Sequence, residues 1–290
     1  MLRLVIDTDA GVDDAQAMML ALAHPDVQVE AITTVTGNTH VDNVVPNVFS
    51  TLAVMDKQVP VYRGAERPLI APWGAEADFH GTDGLGDVPN RPPVTQKPES
   101  EHAALTLIRL ANTYPGELTL VTLGPLTNVA LALRLDPTLP AKIKQLVWMG
   151  GTIRAQGNTA MVTAEWNIYC DPEAAYMVLD AFPMSTMLSW ETTLDFPFSW
   201  AQFDTLCQID TRAGRFFRDI SQKTAAFLRQ IRPDFGYLLP DPLAMALTLE
   251  PDIVQASQTH YVTVELTGTV TRGQTVIDYM QHMQKPPNVR

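Results

Sequence analysis

Leu2–Arg3–Leu4–Val5–Ile6–Asp7–Thr8–Asp9–Ala10–Gly11–Val12–Asp13–Asp14–Ala15 is the stretch on which the reading of this chain turns. The aliphatic run Leu2–Ile6 is short and β-branched in part, which predicts a buried strand. The following segment, Asp13–Ala23, places Ala17, Leu20 and Ala21 at helical spacing. Strand, acidic loop and helix in that order are the first unit of an α/β fold. The acidic residues fall beyond the carboxyl end of the strand, where open α/β sheets carry their ligand crevice.

Working outward, Val27–Thr36 reads as a second strand ending in Gly37–Asn38, with a helix from about Asp42 to Met55 and a third strand at Val59–Tyr62. Residues 64–98 are rich in Pro, Gly and Asp and form a long excursion that carries Phe79–His80–Gly81–Thr82–Asp83–Gly84; loops of that length are usually functional. The alternation resumes with a helix at about 100–113, a strand at Leu118–Leu123, a helix at Leu126–Leu135 and a strand at Ile143–Met149. A loop over 150–165 leads to Asp171–Pro172–Glu173, where Pro172 suits the first turn of a helix. Beyond 185 the pattern predicts a short strand, helices across about 199–230, a helix after Asp241–Pro242 and a β-rich ending at Tyr261–Leu266. The repeated βα units predict one domain over residues 1–290: a single open, mainly parallel, doubly wound sheet flanked by helices.

Composition narrows the partners. A chain of 290 residues with 46% hydrophobic and 18% charged residues has enough apolar material for a sizeable core. Its 32 acidic residues outnumber 20 basic ones for a net charge of −12, and no dense Lys/Arg run offers a footprint for a nucleic-acid polymer or an anionic membrane. There is no apolar stretch of spanning length, and the first apolar run is too short and too quickly acidic for a signal peptide, so a cytoplasmic location is expected. Cys170 and Cys207 are too few for a disulfide framework and are expected as reduced thiols.

Asp7, Asp9, Asp13 and Asp14 put four carboxylates within eight residues. Two unit charges near 4 Å repel by roughly 4 kcal/mol at an effective dielectric of about 20, a repulsion that a hard divalent cation with oxygen ligands would reverse. Acidic residues also favour helix caps and first turns, which would account for Asp13 or Asp14 alone but not for all four. Other strand ends supply compatible groups at Asn38, Leu123–Asn128 and Met149–Gly151, joined by Glu165, Asn167 and Asp241. Taken singly, each has an ordinary reading: Asn38 a turn residue, Asn128 a cap, Met149 core, Asp241 an N-cap before Pro242.

Together these motifs resemble the inosine–uridine-preferring nucleoside hydrolases over nearly the whole chain. The carrying residues are Asp7–Ala15, Ala31–Asn38, Leu123–Asn128, Met149–Gly151, Glu165–Tyr169 with Asp171–Ala175, and Asp241–Ala244. The resemblance implies Ca²⁺ held by Asp9, Asp14, Asp241 and the main-chain carbonyl of Leu123, with ribose hydroxyls and a water completing the shell. It implies hydrolysis of the N-glycosidic bond of a ribonucleoside, with Asp9 as general base, Asp13 and Asn167 on the ribose hydroxyls, and Asn38 positioning water and sugar. Asp241 meets both metal and sugar, while Met149, Asn158 and Glu165 line the side of the 5′-hydroxyl; the Asn158 to Glu165 spacing is one residue longer than usual. It also implies a homodimer or homotetramer.

The chain departs from the family where the base leaves. A His commonly precedes the last metal-binding Asp, but here the residue is Pro240, which can donate no proton. His80 remains as a candidate catalytic acid in the 79–84 loop, since an unperturbed imidazole titrates near pH 6.5, although a loop His can equally be bound locally. Tyr237 is a weaker donor candidate, and Trp73, Trp166 and Tyr237 could stack on a base or simply pack. Two other readings stay open: a nucleoside- or ribose-binding protein with weak or lost hydrolysis, and, less well matched because of Gly11, a haloacid-dehalogenase-type phosphatase built on Asp7–Thr8–Asp9.

Overall fold

From Leu4 onward β1 (Leu2–Thr8) is buried at every residue, as expected of a strand covered by helices on both faces. The structure, a computed structural model, describes residues 1–74 and 79–290. After β1 come α1 (Val12–Ala23), β2 (Val27–Thr34), α2 (Val41–Val54), β3 (Val61–Arg63), α3 (Ala103–Thr113), β4 (Leu118–Thr122), α4 (Thr127–Leu135) and α5 (Leu139–Lys142). The chain continues through β5 (Gln145–Met149), α6 (Trp166–Cys170), α7 (Pro172–Ala181), β6 (Thr186–Leu188), α8 (Trp190–Asp195), α9 (Trp200–Cys207), α10 (Arg212–Ile231) and α11 (Pro240–Leu249). Two further strands, β7 (Val262–Val264) and β8 (Thr275–Ile277), follow a 3-10 turn.

The main sheet has the order β3-β2-β1-β4-β5-β6, and every neighbouring pair is parallel. The strand order reverses between β1 and β4. Ligands bind such sheets in the crevice beyond the strand ends at that switch point, which here joins Asp7–Asp14 to Leu123–Thr127. The two chain segments are tied there by a hydrogen bond from Leu123 N–H to the Asp7 carbonyl (2.8 Å), and Val35 N–H, just after β2, donates to the Thr8 carbonyl (3.0 Å).

Period-two alternation divides the core. Leu4, Ile6, Val121, Val147 and Met149 face α1, α2, α10 and α11. Val5, Leu120, Leu146 and Trp148 face α3, α4 and α7 on the opposite side. This is the doubly wound arrangement expected from the alternating elements.

Three boundaries depart from the sequence reading. β2 ends at Thr34, short of Gly37–Asn38, and β3 begins at Val61. The β-rich ending does not join the main sheet: β7 pairs antiparallel with β8 in a sheet of its own. α11 starts at Pro240, with Leu239 as its cap, so Asp241 lies in the first helical turn rather than at the N-cap. Proline tolerates that position because its missing N–H would have had no intrahelical partner.

Candidate active site

The loop after β1 holds the site together through short local contacts. Ala10 adopts φ of +40°, an uncommon left-handed value for a residue with a Cβ and a local strain held in place by its surroundings. Its N–H donates to Thr8 Oγ1 (3.0 Å), while Thr8 Oγ1 donates to Asp14 Oδ1. Gly11 N–H donates to the other Asp14 oxygen (2.8 Å). Asn38 donates twice to Asp9, from its backbone N–H to Oδ2 (2.6 Å) and from Nδ2 to Oδ1 (3.1 Å), and Nδ2 also reaches Asp14 Oδ2 (3.3 Å). A Cβ on Gly37 would stand 2.0 Å from Asp9 Oδ2, so only glycine lets the end of β2 approach this carboxylate.

Asp13, Asp14 and Asp241 each place a carboxylate oxygen within 4.8 Å of the others. Asp9 adjoins this group through its interaction with Asp14. Burial, then the neighbouring Asp14 charge, holds the Asp9 carboxyl well above the ordinary carboxylate range, and burial followed by Asp13, Asp14 and Asp9 does the same to Asp241. Asp13 and Asp14 are raised as well, with burial again the main cause. Asp13 Oδ1 is buried without a hydrogen-bond partner. Oxygen-only donors, mutual repulsion and an unpartnered buried oxygen fit a hard divalent cation.

Above this group opens a pocket of about 740 Å³. Asp13, Asn38, Leu123, Met149, Asn167 and Asp241 line its deep end. Asp9 and Asp14, both 0% exposed, lie behind that surface. Asn167 Nδ2 donates to the carbonyls of Leu123 (2.7 Å) and Met149 (3.1 Å), which leaves Oδ1 as the atom it can offer a ligand. Glu165 caps α6 and accepts from Gly151, Asn167 and Ile168 N–H groups. Burial nevertheless pushes its carboxyl up to about 7. Asn158 reaches the same wall, its Oδ1 accepting from Trp166 N–H (2.9 Å).

The other end of the pocket is apolar, with Phe79, Leu194, Phe227, Leu228, Ile231 and Leu238 along it. His80 stands beside the acidic end, its Nδ1 3.7 Å from Asp13 Oδ1, and is no solvated imidazole. Its Nδ1 accepts from Val12 N–H (3.1 Å) at the start of α1, and burial pushes the ring down to about 4, so at neutral pH it is an uncharged imidazole with its proton on Nε2. The expectation of an imidazolium near neutrality rested on a solvated ring, and this ring is buried. Pro240 and Tyr237 also line the wall. Tyr237 is stacked on Phe203 at 4.2 Å, its hydroxyl accepts from Gln16 Nε2 (3.2 Å), and burial pushes it up to about 12. Trp166 faces the pocket, whereas Trp73 is outside its lining and donates to the Gly37 carbonyl. Residues 75–78 of the long excursion lie outside the described residues.

Two readings of single residues change. Asp7 does not join the carboxylate group: its Oδ1 accepts from Thr33 Oγ1 and Asn128 Nδ2 on the α4 side. Asn128 is not a cap but a buried clamp between Asp7, the Thr34 carbonyl and Ala65 N–H. Sequence reasoning passed over Thr8 and Gln16, because a strand threonine and a helical glutamine carry no pattern of their own. It also passed over the α10 wall, whose Phe227 and Ile231 are an ordinary i, i+4 apolar pair until the fold turns them to the pocket.

The family model for inosine-uridine preferring nucleoside hydrolase matches residues 4–290. The chain is 32% identical over 279 residues to the inosine-uridine preferring nucleoside hydrolase of Crithidia fasciculata, covering 96% of this chain and 88% of the relative. It is 31% identical to the pyrimidine-specific ribonucleoside hydrolase RihB of Shigella flexneri, covering 99% and 91%. Among solved structures, an inosine-guanosine nucleoside hydrolase superposes with a TM-score of 0.89 at 38% identity, covering 98% of this chain and 90% of that one. A purine-preferring ribonucleoside hydrolase from Gardnerella vaginalis superposes at 0.90 and 29% identity, covering 99% and 92%.

Proposed function

Because the chain belongs to the inosine-uridine preferring nucleoside hydrolase family and is a ribonucleoside hydrolase, we propose that it cleaves the N-glycosidic bond by direct displacement with water, using Ca²⁺ and Asp9 as general base. The observation that carries this reading is the packing of Asp9, Asp13, Asp14 and Asp241 at the sheet's switch point. The family is metal-dependent in general. Asp9, Asp14, Asp241 and the Leu123 carbonyl would hold the ion, and Asp13 stands close enough to share it. An ion held there would polarise water and the ribose diol.

Asn38 fixes the Asp9 carboxylate through two donors, and burial raises its proton affinity, the direction that a base needs. Asp9 takes the proton as the water oxygen attacks C1′. Asp13 and Asn167 Oδ1 hold ribose hydroxyls, and Glu165 with Asn158 and Met149 faces the 5′ end. These acceptors favour a sugar that gains positive charge as the base departs, so they bind the transition state more tightly than the ground state. Neither Pro240 nor neutral His80 supplies a proton to the base; His80 Nε2 offers a hydrogen bond.

Relatives of similar identity carry purine-preferring and pyrimidine-specific names, so identity alone leaves the base open. The assay is ribose release from purine and pyrimidine nucleosides and from 4-nitrophenyl riboside, with and without a chelator. Metal-dependent release from the aryl riboside is expected. Undiminished release after exhaustive chelation would remove the calcium reading, and no release from any substrate would favour a binding protein. A homodimer or homotetramer in the cytoplasm is part of the same proposal, to be checked by light scattering and fractionation.

A further inference from the structure

The pocket separates charge along its length. Its deep end holds Asp13, Glu165 and Asp241, with Asp9 and Asp14 behind them. Among the described residues that line the pocket, Arg232 is the one lysine or arginine. Arg232 caps the C-terminal end of α10, next to Ile231 and close in sequence to Phe227 and Leu228 of the apolar wall. Its backbone N–H is used by the helix, bonded to the Leu228 carbonyl (2.9 Å), and its guanidinium carbon lies 5.3 Å from the centre of the Phe235 ring. Among the described residues no carboxylate is in ion-pairing range of its five N–H donors.

We propose that Arg232 is a further catalytic residue that stabilises the departing base as an anion, replacing proton donation where Pro240 removes it. The proposal rests on the hydrolase reading above. The step balances without an acid. The water oxygen forms a bond to C1′ and its proton goes to Asp9. The C1′–N bond breaks with its electron pair staying on the base, and the anion, paired with Arg232, takes a proton from solvent after release. Positive charge grows on the sugar beside the carboxylates while negative charge grows on the base beside the guanidinium. The fixed field of the pocket is therefore aligned with the charge that develops, and the apolar wall between the two ends strengthens it. A guanidinium stays charged at any working pH and cannot act as a proton donor, so its help is electrostatic.

The test compares Arg232→Ala, Arg232→Gln and Arg232→Lys with the parent on uridine, inosine and a series of aryl ribosides of graded leaving-group acidity. Arg232 is exposed at a helix end, so the variants should fold; circular dichroism checks this. Arg232→Ala should lower kcat on uridine or inosine by about 10- to 30-fold, leave 4-nitrophenyl riboside within about threefold, and steepen the dependence of rate on leaving-group pKa. Arg232→Lys should recover part of the loss and Arg232→Gln little. High salt should shrink the difference between the parent and Arg232→Ala, because the cation is exposed. An equal loss on all substrates, or unchanged rates on both natural nucleosides, overturns the proposal while leaving the hydrolase reading intact. A parent that cleaves no riboside at all removes that reading and the proposal with it.

Discussion

At the deep end of the pocket Asp9, Asp14 and Asp241 are at most 2% exposed and hang from a strand terminus and two helix first turns, whereas at the outer end Phe227 and Ile231 are 40% and 52% exposed on the last turns of α10. The deep end is polar, hydrogen-bonded and built into the switch point of the sheet. The outer end is apolar and belongs to the far turns of α10, a helix that packs on α1, α2 and α9. A chemistry that requires fixed oxygens needs the first kind of support; a base that differs between substrates needs the second. Substitutions should divide accordingly, with rate lost at one end and selectivity altered at the other.

The sharpest way to break this division is Asp9→Asn. The amide cannot take a proton from water, so turnover should fall by about 10³-fold or more, measured as kcat on inosine, uridine and 4-nitrophenyl riboside alike. Removing a buried negative charge from a repelling group should leave the melting temperature unchanged or higher without metal. Near-normal turnover would place the base elsewhere. Gly37→Ala comes next. It alters no reactive group, yet its Cβ collides with Asp9 Oδ2, so a loss of about 10²-fold in kcat is expected from displacement alone. A loss confined to KM would show that the strand end positions substrate rather than Asp9.

Asp7 and Asp9, two residues apart, give the comparison a smaller test in stability. Burial pushes Asp7 up to about 7, against an ordinary value near 3.8. The folded state then holds a proton that the unfolded chain has released, so this contribution is complete below about pH 4 and is lost as pH rises through about 7. The expected slope is at most roughly 1.4 kcal/mol per pH unit across that window. Thermal melts of the metal-free protein should therefore show stability falling from pH 5 to pH 7. Asp7→Asn should flatten part of that fall while keeping kcat within about threefold, since Asp7 faces Thr33 and Asn128 rather than the pocket. A large loss of activity in Asp7→Asn would mean that the two carboxylates act as one unit.

The deep end was legible in the sequence because its chemistry is contiguous. Asp9, Asp13 and Asp14 follow the first strand directly, and Asn38, Leu123 and Met149 sit at later strand ends, where the fold rule alone gathers them. The same proximity misled at Asp7, since spacing along the chain does not say which side of a sheet a carboxylate faces. His80 lines the pocket, but its protonation depends on burial and on Val12 N–H, both tertiary facts. The outer end was barely legible. Phe227, Ile231 and Arg232 carry no motif, and only the path of α10 across the pocket gives them a role.

Phe227→Ala is the mildest probe and tests the outer end by itself. The ring is 40% exposed and packs edge-on against Phe79 with centroids 5.6 Å apart. Its removal forfeits a part-exposed aromatic contact worth about 1 kcal/mol and leaves the carboxylates untouched. The expected result is a rise in KM of about threefold to tenfold for natural nucleosides, with kcat on 4-nitrophenyl riboside nearly constant. The ratio of purine to pyrimidine efficiencies should move with it, because the larger base covers more of this wall. If kcat on the aryl riboside fell as far as kcat on inosine, α10 would be supporting the reacting atoms, and the two ends of the pocket would have to be treated as one device.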